Sequence, residues 1–152
     1  MFIKYHVLLG LIFSFFLLLS GLVGFTGFLI VFLSSFLIDL DHYVSYALKK
    51  KDFSLINAYR WHMAMDKKFL SFPRQERNKI KIQLCFLHGL EILLVLAVLS
   101  VFIKSARFVF VGVLFHLSLD LAYGKLYYND RLDKVSIIYD FFKYKKLRDI
   151  AS

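Results

Sequence analysis

The segment Ile38-Asp39-Leu40-Asp41-His42 decides the fold of this chain, because it lies where a long apolar run ends and polar sequence begins. It contains two carboxylates and an imidazole, which are ligand types that proteins offer to divalent metal ions. Further histidine and acidic residues are spread along the chain, and we expect the fold to bring them to this segment: His6, His88, Glu91, His116 and Asp120. The sequence therefore predicts a metal site at the end of the apolar run.

The composition indicates an integral membrane protein with one domain, residues 1–152. The hydrophobic fraction is 59%, above the roughly 45–50% that is typical of soluble domains. The net charge of +9 is better explained by attraction to anionic lipid headgroups than by nucleic acid, which we do not expect as a partner. Cys85 is the one cysteine, so an internal disulfide is excluded, and we interpret this residue as apolar packing.

The first apolar run, residues 7–38, carries no charge. As one straight helix it would span nearly ~50 Å, which exceeds a hydrocarbon core of about 30 Å. Glycines near its middle favour a hairpin of two membrane helices, about 6–20 and 24–38. The alternatives are a single tilted helix, or a cleaved signal peptide with Lys4 in its n-region and the apolar residues 7–19 as its h-region.

The segment 43–83 is basic, and its apolar residues recur at roughly helical spacing. This pattern predicts an amphipathic helix on the membrane surface, with Trp61 at the interface and Pro73 in the first turn of the next helix.

Two further membrane helices are predicted over about 84–103 and 108–123, joined by a turn at Lys104-Ser105-Ala106-Arg107. The tail from Lys125 is basic and aromatic, which favours another interfacial helix.

The predicted fold class is therefore all-α: a four-helix transmembrane bundle with interfacial amphipathic helices. With four spans, Lys4, the 43–83 segment and the tail lie on one side, and only Lys104 and Arg107 lie on the other. The positive-inside rule then places the protein in the plasma (inner) membrane with both termini in the cytoplasm.

This threading brings all the candidate ligands to the cytoplasmic end. His88 and Glu91 are three residues apart, and His116 and Asp120 are four apart, so each pair would share a helix face. An acid in a membrane helix costs on the order of 2.5–3.5 kcal/mol, so Glu91 and Asp120 are expected to meet a cation. The predicted ligands are His6, Asp39, Asp41, His42, His88, Glu91, His116 and Asp120.

Each of these assignments has a structural alternative. His6 can be an interfacial side chain, and the segment from Asp39 to His42 can be a solvated turn that caps a helix. His88 with Glu91 can be a neutral hydrogen-bonded pair between helices. His62, in the basic segment, is interpreted as a surface histidine.

The pattern His6-Val-Leu-Leu-Gly10, Asp39-Leu-Asp41-His42, a histidine that opens a third helix, and His116-x-x-x-Asp120 resembles the membrane-bound metal-dependent hydrolases of the YdjM/YbcI type. The resemblance implies that Asp39, Asp41, His42, His88, His116 and Asp120 hold metal, with His6 as a further member. Two features differ from that pattern: Ile38 stands where the family usually has proline, and Phe86-Leu87-His88-Gly89 replaces a common Arg-x-x-His-Ser.

The leading hypothesis is a metal-dependent hydrolase that acts on a phosphoester, with one or two Zn²⁺ or Mn²⁺ ions as cofactor. Asp39, His42, His116 and Asp120 are the first choices as ligands, and Asp41 or Glu91 would be the general base. Basic residues would attract an anionic small molecule or a lipid headgroup as substrate.

The alternative is a non-enzymatic protein, either a metal-stabilised membrane scaffold or a small transporter. A transport path requires polar residues through the depth of the bilayer, whereas here they gather at one end.

Overall fold

A computed structural model of the chain describes residues 3–77, 79–81, 86–127, 136–145 and 147–149. Within these ranges the fold is all-α, with eight helices. The one departure is a two-residue parallel pairing between β1 (Ile80–Lys81) and β2 (Arg148–Asp149).

Four apolar helices form the body of the protein: α1 (Ile3–Leu19), α2 (Phe25–Leu37), α6 (Leu90–Phe102) and α7 (Lys104–Tyr127). Helices α1, α2 and α7 match the apolar segments predicted over 6–20, 24–38 and 108–123, whereas α6 covers only part of the segment predicted over 84–103. The first two helices form a hairpin rather than one tilted helix, because the chain turns at Gly21, where φ is +73°, a conformation that glycine adopts without strain.

Helices α2 and α7 run parallel and in close contact. Gly27 packs on Phe108 near the start of both helices, while the carbonyl of Ser35 meets His116 further along. Between these points Gly112 lies against Ser34 of α2. The absence of a side chain on Gly112 allows this approach, which brings the end of α2 to the last turns of α7.

Helices α1 and α6 are antiparallel to α7 and flank it. Phe13 stacks on Phe115 with 4.1 Å between ring centroids. On the other flank Leu93 of α6 packs with Val113 and Leu117 of α7 and with Ile38. The result is an up-down-up-down bundle, in which the ends that carry the candidate ligands meet.

Polar side chains are buried inside this bundle beside the apolar core, and many large apolar side chains lie on its outer surface. Ser14 and Ser35 are buried, and each hydroxyl donates to a carbonyl of its own helix. By contrast, Phe16 of α1 is 63% exposed, and Val98 and Phe102 of α6 are 62% and 79% exposed. Exposed apolar surface of this extent is unusual in a soluble bundle.

Two stretches are long and apolar enough to cross a membrane, Phe25–Lys50 with 26 residues and Lys104–Leu126 with 23 residues. Helices α1 and α6 are apolar but shorter, with 17 and 13 residues. At 1.5 Å per residue they span about 25 Å and 20 Å.

The structure corrects the prediction that Asp39, Asp41 and His42 end the second apolar helix. The helical path is interrupted only at Ile38 and Asp39 and continues as α3 (Leu40–Lys50). Asp39 occupies the N-cap position of α3, and Asp41 lies in its first turn, where a carboxylate is favourable because of the helix dipole.

The basic segment folds back as α4 (Leu55–Ser71), which covers much of the predicted amphipathic helix. Asp52 organises the α3–α4 turn: its carboxylate accepts hydrogen bonds from the Tyr46 hydroxyl at 2.6 Å and the Ser54 amide at 2.9 Å. The bond from Tyr46 is the main reason that the pKa of Asp52 lies below its ordinary value. After Pro73 the short α5 (Arg74–Arg77) begins, as predicted.

Two further predictions are corrected. The expected turn at Lys104–Arg107 is the first turn of α7, and the break is confined to Ile103. His88 is not in a helix, because α6 starts at Leu90 and its N-cap, Gly89, is extended. The tail contains α8 (Ile137–Tyr144). The interpretation of Cys85 as packing falls outside the described residues, as do residues 128–135 of the tail.

We predict that Gly112→Ala destabilises the bundle, because the new methyl group would meet the backbone carbonyl oxygen of Val31 at 2.6 Å. Overpacking of this kind costs about 1–3 kcal/mol, so the unfolding midpoint in detergent should fall. Gly24→Ala is the matched control, since a Cβ at Gly24 meets nothing within 4 Å among the described residues. Equal midpoints for the two variants would contradict the close packing of α2 on α7.

Candidate metal centre

Six of the eight predicted ligands meet at one end of the bundle. They come from four separate parts of the chain: His6, Asp39, His42, His88, His116 and Asp120. They form three overlapping groups of three, and within each group the ligand atoms lie within 4.8 Å of one another.

The ligands lie on helices, at the start of a helix and in a non-helical segment. His6 lies in the first turn of α1, and Asp39 occupies the position directly before α3. His116 and Asp120 are four residues apart on α7, so their side chains share one face. His88 belongs to the non-helical segment 86–89. Antiparallel packing of the helices therefore assembles the site.

The backbone of α2 fixes the orientation of the His116 ring. Nδ1 of His116 lies 2.8 Å from the carbonyl oxygen of Ser35, which can only accept, so Nδ1 is the donor. The other nitrogen, Nε2, points into the cluster and lies 3.7 Å from a carboxylate oxygen of Asp39 and of Asp120. The ring of His6 stacks on His116 with 3.9 Å between centroids.

Asp41 orients His88 in the same way. Its Oδ2 accepts a hydrogen bond from the Leu87 amide and lies 3.0 Å from Nδ1 of His88. Nε2 of His88 consequently faces the centre, where it lies 3.2 Å from Oδ1 of Asp39. A carboxylate behind the ring of a metal-binding histidine sets the tautomer and raises the basicity of the ligand nitrogen.

The two centre-facing nitrogens, Nε2 of His88 and Nε2 of His116, are 3.0 Å apart. With both Nδ1 atoms serving as donors, neutral rings would place two lone pairs against each other. A proton on one of the two nitrogens or a shared metal ion removes this repulsion, and two histidine nitrogens on one tetrahedral zinc ion would be about 3.3 Å apart. The imidazoles and carboxylates gathered here are of the type that can hold a divalent metal ion.

The three groups share ligands with one another. Asp39 belongs to two groups, one with His6 and His116 and one with His42 and His88. Each group would supply three ligands to an ion.

Exposure is uneven across the cluster. His6, His88 and His116 are each 0% exposed, whereas the side chain of His42 is 23% exposed and lies 3.7 Å from Asp39. The cluster therefore opens toward solvent at His42.

Glu91 belongs to none of the three groups among the described residues. Its carboxylate instead accepts hydrogen bonds from the Ser136 hydroxyl at 2.6 Å and from the amides of Ile137 and Ile138 at 3.0 Å and 3.3 Å. Glu91 and His88 do not share a helix face as expected, because α6 starts at Leu90, after His88, with Gly89 as its N-cap. Asp41 is also outside the groups and lies behind His88.

Sequence reasoning missed two supporting contacts. His62 places Nε2 3.3 Å from the carbonyl oxygen of His42, and its ring makes an edge contact with the His42 ring at 5.5 Å. The Ser35 carbonyl is the second, on His116. No sequence pattern identifies either contact, since backbone carbonyls carry no residue type and His62 lies twenty residues from His42.

Comparison of the chain with models of protein families, with curated proteins and with solved structures finds no match.

We predict that Asp41→Asn lowers the affinity of the cluster for Zn²⁺ about 10–100-fold, the usual effect of losing the carboxylate behind a histidine ligand. Titration of detergent-purified protein against a chromogenic chelator measures this change. Asp52→Asn removes a charge from the α3–α4 turn and should leave the affinity unchanged. Equal affinities for the two variants would show that Asp41 does not orient His88 toward a metal.

Proposed function

We propose that this chain is a membrane-embedded, metal-dependent hydrolase that acts on a phosphoester such as a lipid headgroup. In this proposal α1, α2, α6 and α7 are the four membrane helices, and the cluster holds one or two Zn²⁺ or Mn²⁺ ions. The cluster and both termini face the cytoplasm, at the inner face of the plasma membrane, following the distribution of Lys and Arg.

The observation that carries the metal assignment is the approach of the two Nε2 atoms of His88 and His116 to 3.0 Å. Asp39 and Asp120 supply negative charge on either side of this pair, with distances of 3.2–3.7 Å to His88. Imidazoles with carboxylates suit zinc and manganese better than magnesium or calcium, which prefer all-oxygen sites.

The burial of polar side chains, together with the exposure of large apolar ones, supports the membrane placement. Buried serines and histidines with exposed phenylalanines and valines suit a bundle whose surroundings are hydrocarbon. The stretch Phe25–Lys50, in which α2 continues into α3, and the stretch Lys104–Leu126 have the length for a core of about 30 Å. The shorter α1 and α6 are matched by local thinning of the bilayer, which costs only fractions of a kcal/mol per Å.

The partial exposure of His42 beside a buried ligand set supports the hydrolase assignment. A bound ion of this class supplies Lewis acidity and a water of lowered pKa. Asp41 holds the His88 ring, and Glu91 is occupied by α8, so we assign both residues to positioning rather than to the general-base role predicted for them. The opening at His42 is the place where a substrate reaches the cluster.

A metal-stabilised scaffold is the second candidate, favoured by the complete burial of His6, His88 and His116. A closed site holds its ion with protein ligands alone, whereas a catalytic site keeps one position for water or substrate. The two functions differ in whether a bound ion would keep an open coordination position on the side of His42.

Purified protein should contain stoichiometric metal, and Asp39→Ala and His116→Ala should lose both the metal and hydrolysis of a chromogenic phosphodiester while still inserting into membranes. Elemental analysis, the hydrolysis assay and a carbonate wash measure the three properties. Chelation of the wild-type protein should lower its unfolding midpoint, because a ligand at 1,000 times its Kd stabilises by about 4 kcal/mol. Retained metal in both variants would refute the ligand assignment.

His42→Ala tests the catalytic assignment against the scaffold. In a hydrolase with an open edge at His42, this variant should lose activity to background and lower the metal content of a two-ion centre to one ion, while the midpoint changes little. His62→Ala is the matched control, since it contacts the His42 backbone without belonging to the cluster. Full metal retention by His42→Ala, with no phosphodiesterase activity in the wild-type protein, would favour the scaffold.

A further inference from the structure

Helix α8 presents its apolar side chains outward and its acidic residue inward. Ile138, Tyr139 and Phe142 are 62%, 63% and 61% exposed, whereas Asp140 is 4% exposed. A short helix in contact with water normally has the opposite arrangement. The outward face of α8 is therefore suited to an apolar or interfacial environment.

Helix α8 is attached beside the metal centre. Glu91, in the first turn of α6, accepts hydrogen bonds from the Ser136 hydroxyl and the amides of Ile137 and Ile138. Gly89 lies directly against α8, since a Cβ there would meet Cγ1 of Ile137 at 2.6 Å. The residue before Gly89 is His88, so α8 is held at the end of the bundle that carries the cluster.

Basic side chains border the outward face of α8. Nζ of Lys143 lies 5.7 Å from the centroid of the Tyr139 ring. Nζ of Lys145 lies 4.7 Å from the centroid of Phe141 and 5.8 Å from that of Phe142. Ammonium groups that lie over exposed aromatic rings are typical of segments at the boundary between headgroups and hydrocarbon.

We propose that this outward face of α8, formed by Ile138, Tyr139, Phe142, Lys143 and Lys145, docks on the anionic headgroups of the bilayer that surrounds the bundle. The lysines complement the negative lipid surface, while the apolar side chains enter the headgroup boundary. The Glu91 contact sets the height of α8 relative to His88, so docking places lipid headgroups beside the cluster. This inference rests on the proposed membrane placement and is independent of the reaction.

The test uses the full chain in nanodiscs with an environment-sensitive dye at position 142, in the variant Cys85→Ser/Phe142→Cys. Discs of phosphatidylcholine alone are compared with discs that contain phosphatidylglycerol. We expect a blue shift and protection from acrylamide, an uncharged quencher, in the anionic discs, which high salt reverses. A signal that is equal in both lipids and insensitive to salt would overturn the proposal.

The charge variant Lys143→Gln/Lys145→Gln should lower the docked fraction in anionic discs. Each lysine near such a surface is worth about fivefold in the equilibrium constant, so the ratio of docked to free helix should fall about 25-fold. Lys104→Gln, at the opposite end of the bundle, is the control and should leave the dye signal unchanged. An equal decrease of the docked fraction in the double variant and in Lys104→Gln would overturn the assignment of docking to α8.

Two further measurements distinguish a failure of α8 docking from a failure of the membrane placement and from self-association of the chain. A chain that a carbonate wash extracts from native membranes would refute the membrane placement itself, whereas an embedded chain with an unresponsive dye would refute only docking by α8. A blue shift that depends on protein concentration in detergent, without lipid, would show that a second copy covers this face and would likewise overturn the proposal.

Discussion

The close approach of two imidazole nitrogens governs the polar end of this protein. Nε2 of His88 and Nε2 of His116 are 3.0 Å apart, and each ring is held in place from behind, by Asp41 and by the Ser35 carbonyl. Such an arrangement is favourable when positive charge, either a proton on one ring or a bound cation, lies between the nitrogens or beside them. Asp39 and Asp120 lie 3.2–3.7 Å from these rings and would stabilise that charge.

Small residues allow the helices of this bundle to pack closely. Gly112 and Gly27 let α7 approach α2 closely, and close approach with small residues is how helices associate when hydrophobic driving force between them is weak. Buried serine hydroxyls are satisfied within their own helices. Each of these hydroxyls therefore has an acceptor in its own helix, whereas the buried imidazoles and carboxylates concentrate at one end of the bundle. The outer surface is left apolar, which links the packing of the bundle to its proposed surroundings.

Helical spacing predicted part of the site and failed elsewhere for an identifiable reason. His116 and Asp120 lie on one continuous helix, so a separation of four residues placed both side chains at the cluster, as expected. His88 and Glu91 straddle the start of α6, so a separation of three residues carried no such meaning. Glycine at position 89 was the local indication of that boundary, but its pairing with Ile137 requires a contact across 48 residues of chain. The stacking of His6 on His116 likewise joins residues from opposite ends of the chain.

The sequence by itself determined the number and order of the apolar helices, the hairpin between the first two, and the types of residue available to a metal. These features follow from local hydropathy, from glycine at the turn and from ligand chemistry, which are properties of short segments. Only the tertiary structure decided that six of the candidate ligands meet, that Glu91 leaves them to hold α8, and that α8 turns its apolar face outward. These outcomes depend on the rotation of each helix about its axis and on contacts between distant segments, and packing of the whole chain sets both.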